Sequence, residues 1–338
     1  MQTQSAASAA GIPGLVVRPY GGEADLPEVA RIQSAEWEAD GVSARADVDD
    51  LRAWWGYPSE QFDAARDVDV VEVDGRMVAV TQRDWVDATD GVREYKARAW
   101  VEPAFRRRGI GTMLLARNEA LQRTLAASHE TERPLMLGMG GPETNVGAQV
   151  LARAFGYEPA RWFTDMERSL LAGLPELPPM PDGLEVRPAS ADQARQIWEA
   201  DLDAFRDHWG GWDPSDASFQ RWVDSPSFQP ELMMVAWEGD EIAGAVLNAV
   251  YAEENAQLGI SRAWLDSVFT RRAWRRRGLA RALIARSLHL LSDRGFATAA
   301  LGVDADNPSG ALGLYASAGF HPTERFVAWR KPMEPPSR

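Results

Sequence analysis

The sequence predicts an α/β (α+β) protein made of two tandem copies of one fold, each a mixed, mostly antiparallel sheet flanked by helices. Three observations carry this reading. The first is an internal repeat. Gly14-Leu15-Val16-Val17-Arg18-Pro19 returns as Gly183-Leu184-Glu185-Val186-Arg187-Pro188, and Arg106-Arg107-Arg108-Gly109-Ile110-Gly111 returns as Arg275-Arg276-Arg277-Gly278-Leu279-Ala280. The shift is 169 residues in both cases (183 − 14 and 278 − 109), and one constant shift for two separate segments is the signature of a duplicated unit. The second is a junction: residues 170–183 read LLAGLPELPPMPDG, whose four prolines can continue neither a helix nor a central strand. The third is length, since 338 residues suit two domains of about 150 to 170 each. The expected divisions are a tail at 1–13, a first domain at 14–172, a linker at 173–182 and a second domain at 183–333.

Each copy reads in the same order. A short strand (15–18; 184–187) leads into two helices (24–38 and 46–55; 191–206 and 215–223). Two β-rich runs follow around a tight turn: 68–73 and 77–85 flank Asp74-Gly75, while 232–237 and 241–251 flank Gly239-Asp240, which are hairpin signals. A further strand (94–101; 264–270) runs into the arginine-glycine segment and a long helix, after which a strand, a helix and a last strand close the copy. Near each end Phe155-Gly156-Tyr157 matches Ala318-Gly319-Phe320 at a shift of 163 (319 − 156), a drift that loop length explains.

Composition narrows the function classes. The chain has no cysteine, which excludes disulfides, thiolate metal sites and an enzyme-bound thioester. Its four histidines stand at no metal-ligand spacing, so no metal is expected. A formal net charge of −14 argues against nucleic acid as a partner. No apolar run approaches the ~18 residues of a membrane span, and the first residues carry no secretory pattern. The expectation is a cytoplasmic protein without a membrane partner.

A strand, then Arg-x-x-Gly-x-Gly/Ala, then an amphipathic helix is an arrangement that cradles phosphates. Glycine lets the backbone approach the ligand, and successive N–H groups at the helix start form an anion site. The helix that follows carries Leu279, Leu283, Ile284, Leu288 and Leu291 on one stripe. Arginines 275, 276 and 277 can add charge-assisted bonds. Alone, such a cluster is equally a solvated helix start. The glycine pattern of a Rossmann fold is incomplete and a Walker lysine is missing.

At this point the sequence resembles the GNAT superfamily of acyl-CoA-dependent N-acyltransferases. Val101-Glu102-Pro103-Ala104-Phe105 and the arginine-glycine run through Gly111 fit that family's strand-to-loop signature throughout. Thr270 to Ala280 fits it with Arg272 where proline is usual. Val303-Asp304-Ala305-Asp306-Asn307, Ala311-Leu312 and Leu314-Tyr315-Ala316-Ser317-Ala318-Gly319-Phe320 are similar to its Asn…Leu-Tyr-x-x-x-Gly-Phe ending. The resemblance covers both halves. It implies acetyl-CoA as co-substrate, held by Val268, Phe269 and Thr270, by Arg275, Arg276, Arg277, Gly278, Leu279, Ala280 and Arg281, and by Asn307. In the first copy the counterparts are Ala99, Trp100 and Val101 with Arg106, Arg107, Arg108, Gly109, Ile110, Gly111 and Thr112.

Amine attack on a thioester needs oriented substrates, an oxyanion donor and proton handling at both ends. Tyr315 aligns with the tyrosine that commonly protonates the leaving thiolate in this family; the bland alternative is a tyrosine packed on the core face of its helix. Asn307 is at once a cofactor contact and a plain N-cap. Asp266 stands four residues before Thr270, which by strand alternation gives it the face of Val268 and Thr270. It is the candidate general base or a solvated acid, with Asp304 as a second choice. A commonly used base position falls at Trp264, which cannot serve. Four residues before Gly156 stands Ala152, so the first copy keeps the phosphate loop and lacks the acid.

The expected activity is transfer of an acetyl group to the primary amine of a small molecule in a ternary complex, with the chemistry in the second copy. Alternatives are another acyl-CoA, a protein acceptor, or a non-catalytic acyl-CoA-binding module. The stretch Asp201 to Asp213, with acids, Trp209 and Trp212, suits a cationic or sugar-like amine and equally a solvated helix face. A monomer with two pseudo-equivalent domains is a plausible assembly.

Overall fold

The computed structural model describes residues 11–171, 173–306 and 310–333. In chain order the first half forms β1 (Leu15–Pro19), α1 (Leu26–Ala39), α2 (Val48–Gly56), α3 (Ala64–Asp67), β2 (Val68–Val73), β3 (Arg76–Asp87), β4 (Arg93–Val101), α4 (Ile110–Ala126), β5 (Leu135–Pro142), α5 (Val146–Ala154) and β6 (Glu158–Ser169). The second half forms β7 (Glu185–Pro188), α6 (Ala194–Ala204), α7 (Asp216–Val223), β8 (Met234–Glu238), β9 (Glu241–Ala249), α8 (Ala252–Leu258), β10 (Arg262–Thr270), α9 (Leu279–Asp293), β11 (Thr298–Asp304), α10 (Ala311–Ser317) and β12 (His321–Pro332). The Asp74-Gly75 turn adopts φ of 50° and 78°, the doubly left-handed geometry of a tight hairpin. β9 ends at Ala249, two residues short of the expected strand, and α8 follows in a stretch to which the sequence pattern assigns no element; its Ala252-Glu253-Glu254 start favours helix once the chain leaves the sheet.

The chain folds into two compact units that are not contiguous halves. One comprises residues 11–161, 209–221 and 326–333, and the other residues 162–208 and 222–325 among those described. In the first unit the sheet runs β1-β2-β3-β4-β5-β12, and in the second β6-β11-β10-β9-β8-β7. The last strands are therefore exchanged. Residues 326–332 of β12 pair antiparallel with β5, from Phe326↔Pro142 to Pro332↔Met136. Residues 163–169 of β6 pair antiparallel with β11, from Phe163↔Asp304 to Ser169↔Thr298. The physical need is plain: β5 and β11 would otherwise present an unpaired row of backbone groups.

In the second unit the sheet is covered on both faces. Leu279, Leu283, Ile284, Leu288 and Leu291 of α9 pack with Leu265, Leu301, Trp274, Tyr315 and Phe320 on one side. Ile197, Ala200 and Ala204 of α6 pack with Phe269, Leu247 and Trp237 on the other. A fully buried leucine such as Leu283 contributes about 2 kcal/mol from burial alone. The heptad-like spacing on each helix is what holds β10 at fixed depth between them.

Candidate active site

The two arginine-glycine loops have the same backbone. Each β-strand ends in a 3-10 turn, Pro103–Phe105 or Arg272–Trp274. Arg107 and Arg276 both take φ 63°, and Gly109 and Gly278 take 87° and 86°. Among the described residues only one further non-glycine residue, Asp74, has a positive φ. Two of the three such positions thus fall at one point of the repeat, where left-handed backbone in a non-glycine residue marks a functional constraint. The first helical bonds run from Met113 N–H to Gly109 and from Ala282 N–H to Gly278. The N–H groups of Ile110–Thr112 and Leu279–Arg281 therefore have no partner inside their helices and converge on an anion site of about half a positive charge.

Two arginines of the second loop, Arg275 and Arg277, make hydrogen bonds within the protein. Arg275 donates from Nε to the Thr270 carbonyl at 3.0 Å and from Nη2 to the Ala204 carbonyl at 2.9 Å, bracing α6 against the strand end. Arg277 donates to the Asp182 carbonyl at 2.7 Å. Arg108 lies 4.9 Å from the Phe105 ring centroid.

Both units open a wedge next to this loop. β4 pairs in parallel with β5 only from Arg93↔Leu135 to Lys96↔Gly138, and β10 with β11 only from Arg262↔Thr298 to Trp264↔Ala300. Beyond those points the strands part. Arg271 N–H donates to Ala243 on the β9 side, so alternation turns the N–H groups of Thr270 and Val268 toward the wedge. In the second unit this makes a groove whose wall carries the Val268 and Thr270 N–H groups and which leads to the start of α9.

The strands differ in one respect. β3 and β4 keep an unbroken register from Ala79↔Val101 to Asp87↔Arg93. In β10 the register to β9 shifts between Leu265↔Asn248 and Ser267↔Leu247, so Asp266 is an extra, bulged residue. This corrects the face expected for Asp266. Val268 packs with the α9 side, whereas Ser267 Oγ donates to Asp201 Oδ1 of α6 at 2.5 Å. Strict alternation fails at a bulge, and Asp266 instead accepts from the Tyr251 hydroxyl at 3.2 Å. Asp266 is exposed to solvent yet hemmed in by protein, and that desolvation pushes its carboxyl above the ordinary range while the Tyr251 bond opposes the change. Asp201 is pushed up to about 7, by burial first and by the Asp266 charge, with the Ser267 bond opposing. Next to them Asp203 is held low by its Arg271 hydrogen bond, at 2.9 Å.

Tyr315 lies on the opposite face of β10, 7% exposed, in the cluster that contains Leu279 and Trp274. Its ring meets Phe320 edge-on at 6.2 Å. Burial pushes its hydroxyl up to about 12, so it stays a phenol, and a donor, at neutral pH. Asn307 lies outside the described residues. Asp304 is buried at the end of β11 and accepts from Asp306 N–H at 3.0 Å.

The counterpart in the first unit is filled by its own side chains. Glu36 of α1 accepts from Val101 N–H at 2.8 Å, the wedge-facing donor equivalent to Thr270. Arg106 pairs with Asp40 at 2.6 Å and Glu36 at 3.0 Å. Asn145 Nδ2 donates to Asp40 at 2.9 Å and Glu36 at 3.3 Å. Glu36 and Asp40 are each 8% exposed, and burial pushes Glu36 up to about 7 against the pull of Arg106 and Val101. Ala152 stands fully buried where the second unit has Tyr315, and Ala97, opposite Arg83, matches Leu265 opposite Asn248, so the first unit has no counterpart of the bulged Asp266.

The acidic and tryptophan-rich stretch divides between the units. Asp201, Asp203 and Asp207 belong to the second unit, where Asp207 pairs with Arg272 and Arg275, and the His208 ring lies against Phe205 at 4.4 Å, tilted by 55°. Trp209 to Arg221 belong to the first. There Trp209 faces Arg330 at 4.2 Å, and Asp213 joins Ser59 at 2.8 Å and Arg221 at 3.2 Å. Those two residues are therefore explained as packing of the first unit. Ser267, Tyr251, Glu36, Asp40 and Asn145 were not singled out from the sequence. The only available signal was Glu36 and Asp40 at i, i+4, one face of a helix.

A splayed strand pair, an anion-binding loop of this backbone and a bulged strand define the class. The family profile described as Acetyltransferase (GNAT) family matches residues 194–320. The chain is similar to the mycothiol acetyltransferase of Clavibacter michiganensis subsp. michiganensis, 32% identical over 240 residues, 70% of this chain and 72% of that one. It is also similar to the mycothiol acetyltransferase of Geodermatophilus obscurus, 28% identical over 314 residues, 91% of this chain and 94% of that one. Among solved structures, a GCN5-related N-acetyltransferase from Sphaerobacter thermophilus superposes with a TM-score of 0.70 at 28% identity, over 96% of this chain and 98% of that one. A tandem GNAT protein from the clavulanic acid biosynthesis pathway shares the fold, with a TM-score of 0.67 at 18% identity over 96% of this chain and the whole of that one. The chain belongs to the acetyltransferase (GNAT) family and is an acetyltransferase built of two such folds. Within the family, the curated relatives it resembles are the mycothiol acetyltransferases. No helix among the described residues is long and apolar enough to cross a membrane.

Proposed function

We propose that the second unit transfers an acetyl group from acetyl-CoA to the primary amine of a small molecule, by direct attack with both substrates bound. The observation that carries this reading is asymmetry: the β10 bulge and the Tyr315 hydroxyl occur in one unit, beside a loop that both units share. Acetyl-CoA supplies an activated acyl carbonyl and a thiolate leaving group. The residues present suit it. Leu279, Ala280 and Arg281 offer N–H groups to the diphosphate, with Arg276 and Gly278 giving the loop its left-handed turns. Val268, Phe269 and Thr270 form the strand wall along which the pantetheine arm extends, with Val268 and Thr270 N–H facing it.

Tyr315 stands on the α9 side of β10 and Asp266 on the α6 side, so the leaving group and the amine are served from opposite faces. A phenol held near 12 lies well above a thiol of about 8.5. Tyr315 therefore stabilises the developing thiolate chiefly as a hydrogen-bond donor, and full transfer of its proton is uphill. In the first unit Glu36 satisfies the wedge-facing N–H and sets a carboxylate where the pantetheine arm would lie, which supports a non-catalytic role there. The homologous names favour the mycothiol acetyltransferase type for the architecture; the acceptor is assigned only as a primary amine.

The test is CoA release from acetyl-CoA in the presence of primary amines, with Tyr315→Phe as the control. Loss of one donor to the leaving group is expected to lower kcat by about 10²-fold and leave acetyl-CoA affinity within a factor of two. Wild-type protein that binds acetyl-CoA and acetylates no amine would overturn this reading in favour of a binding module.

A further inference from the structure

Resting on the reading just given, we propose that Asp201 takes the proton from the acceptor's ammonium group, and that Ser267 and Asp266 position and tune it at the β10 bulge. The argument starts with the bulge. An extra residue in β10 puts Asp266 and Ser267 out of alternation, and Ser267 reaches α6 to hold Asp201 at 2.5 Å. A carboxylate fixed by one short hydroxyl bond keeps its other oxygen available. Asp266 lies beside it, tied to Tyr251 at 3.2 Å. The Asp266 charge adds to the burial that raises the Asp201 carboxyl.

The surroundings do not neutralise the pair. Arg271, which follows β10, is engaged with Asp203 at 2.9 Å. Arg206 on the same side also pairs with Asp203, at 2.8 Å. The remaining groups that face Asp201 are Ser267 and Asp266 from β10, with Tyr251, which follows β9, acting through Asp266. The pair therefore presents net negative charge to an arriving ammonium, which selects a cationic primary amine as acceptor.

The proton balance closes on these groups. The ammonium gives one proton to Asp201 and becomes a neutral amine. The nitrogen lone pair forms the N–C bond, and the C–S electron pair leaves on sulfur. The second nitrogen proton goes to that sulfur, on the side where Tyr315 donates, giving the thiol. Asp201 returns its proton to water. A base that titrates at about 7 is matched to this task at neutral pH.

Two readouts test the proposal. In the free protein, carbon NMR of labelled aspartate carboxyls should show Asp201 titrating near neutrality, higher in Ser267→Ala and lower in Asp266→Asn. In turnover with acetyl-CoA and glucosamine, cysteamine or spermidine as acceptor probes, kcat should rise with pH through the same midpoint. Asp201→Asn should abolish that limb and lower kcat by about 10²-fold or more, with acetyl-CoA affinity unchanged. Ser267→Ala should shift the limb upward, which a mere tether between α6 and β10 would not do. An Asp201→Asn enzyme that keeps the limb and the rate, or a Ser267→Ala limb that stays in place, overturns the proposal. Wild type that fails to bind acetyl-CoA overturns the underlying reading as well, so the two failures are distinguishable.

Discussion

The two units share a loop and differ in what surrounds it. Arg107 and Arg276, Gly109 and Gly278 agree in φ to within a degree, and both strand pairs part at the same point of the repeat. Yet the first unit has an unbroken β3–β4 register, Ala152 for Tyr315, and Glu36 on the Val101 N–H. The difference teaches that the cradle and the chemistry are separable. The loop is part of how the helix starts, so it is retained for folding whether or not a ligand uses it. The bulge, the Tyr315 hydroxyl and an open donor are not what fills the core, and they are what the first unit lacks.

The sharpest way to break this comparison is to empty the first groove. Glu36→Ala removes the carboxylate from Val101 N–H and from Arg106. Acetyl-CoA stoichiometry is expected to rise from one to two per chain, read by calorimetry. A stoichiometry that stays at one would mean that Glu36 is not what closes the groove. A smaller effect is expected where the units differ by one methyl group. Ala79 stands opposite Val101, and Gly244 opposite Thr270. A Cβ on Gly244 would lie 2.6 Å from the Phe269 carbonyl oxygen and 3.2 Å from Leu279. Gly244→Ala is therefore expected to lower stability by about 1–3 kcal/mol, seen as a fall in Tm, and to weaken acetyl-CoA by displacing β10. An unchanged Tm would show that β9 and β10 approach no closer at this point than β3 and β4.

Much of the fold was legible in the sequence because the repeat doubled every local signal. The hairpin turn at Asp74-Gly75, the stripe of α9 and the Arg-x-x-Gly loop are each written in neighbouring residues. The exchange of β6 and β12 was not legible, since either partner strand satisfies the same alternation and only long-range pairing decides. The bulge escaped for a related reason. One extra residue in Leu265-Asp266-Ser267 carries no glycine or proline to announce it, and it turned Asp266 to the face of Asp201. Glu36 escaped because its role depends on a partner 65 residues away.

The central claim is that one unit, the second, holds the acetyl-CoA. Calorimetric titration of acetyl-CoA into wild type, Gly278→Glu and Gly109→Glu tests it most directly, because each substitution sets bulk and negative charge at one anion site. The account expects a single site in wild type, lost in Gly278→Glu and retained in Gly109→Glu. Two sites in wild type, or loss on substitution of Gly109 alone, would contradict it.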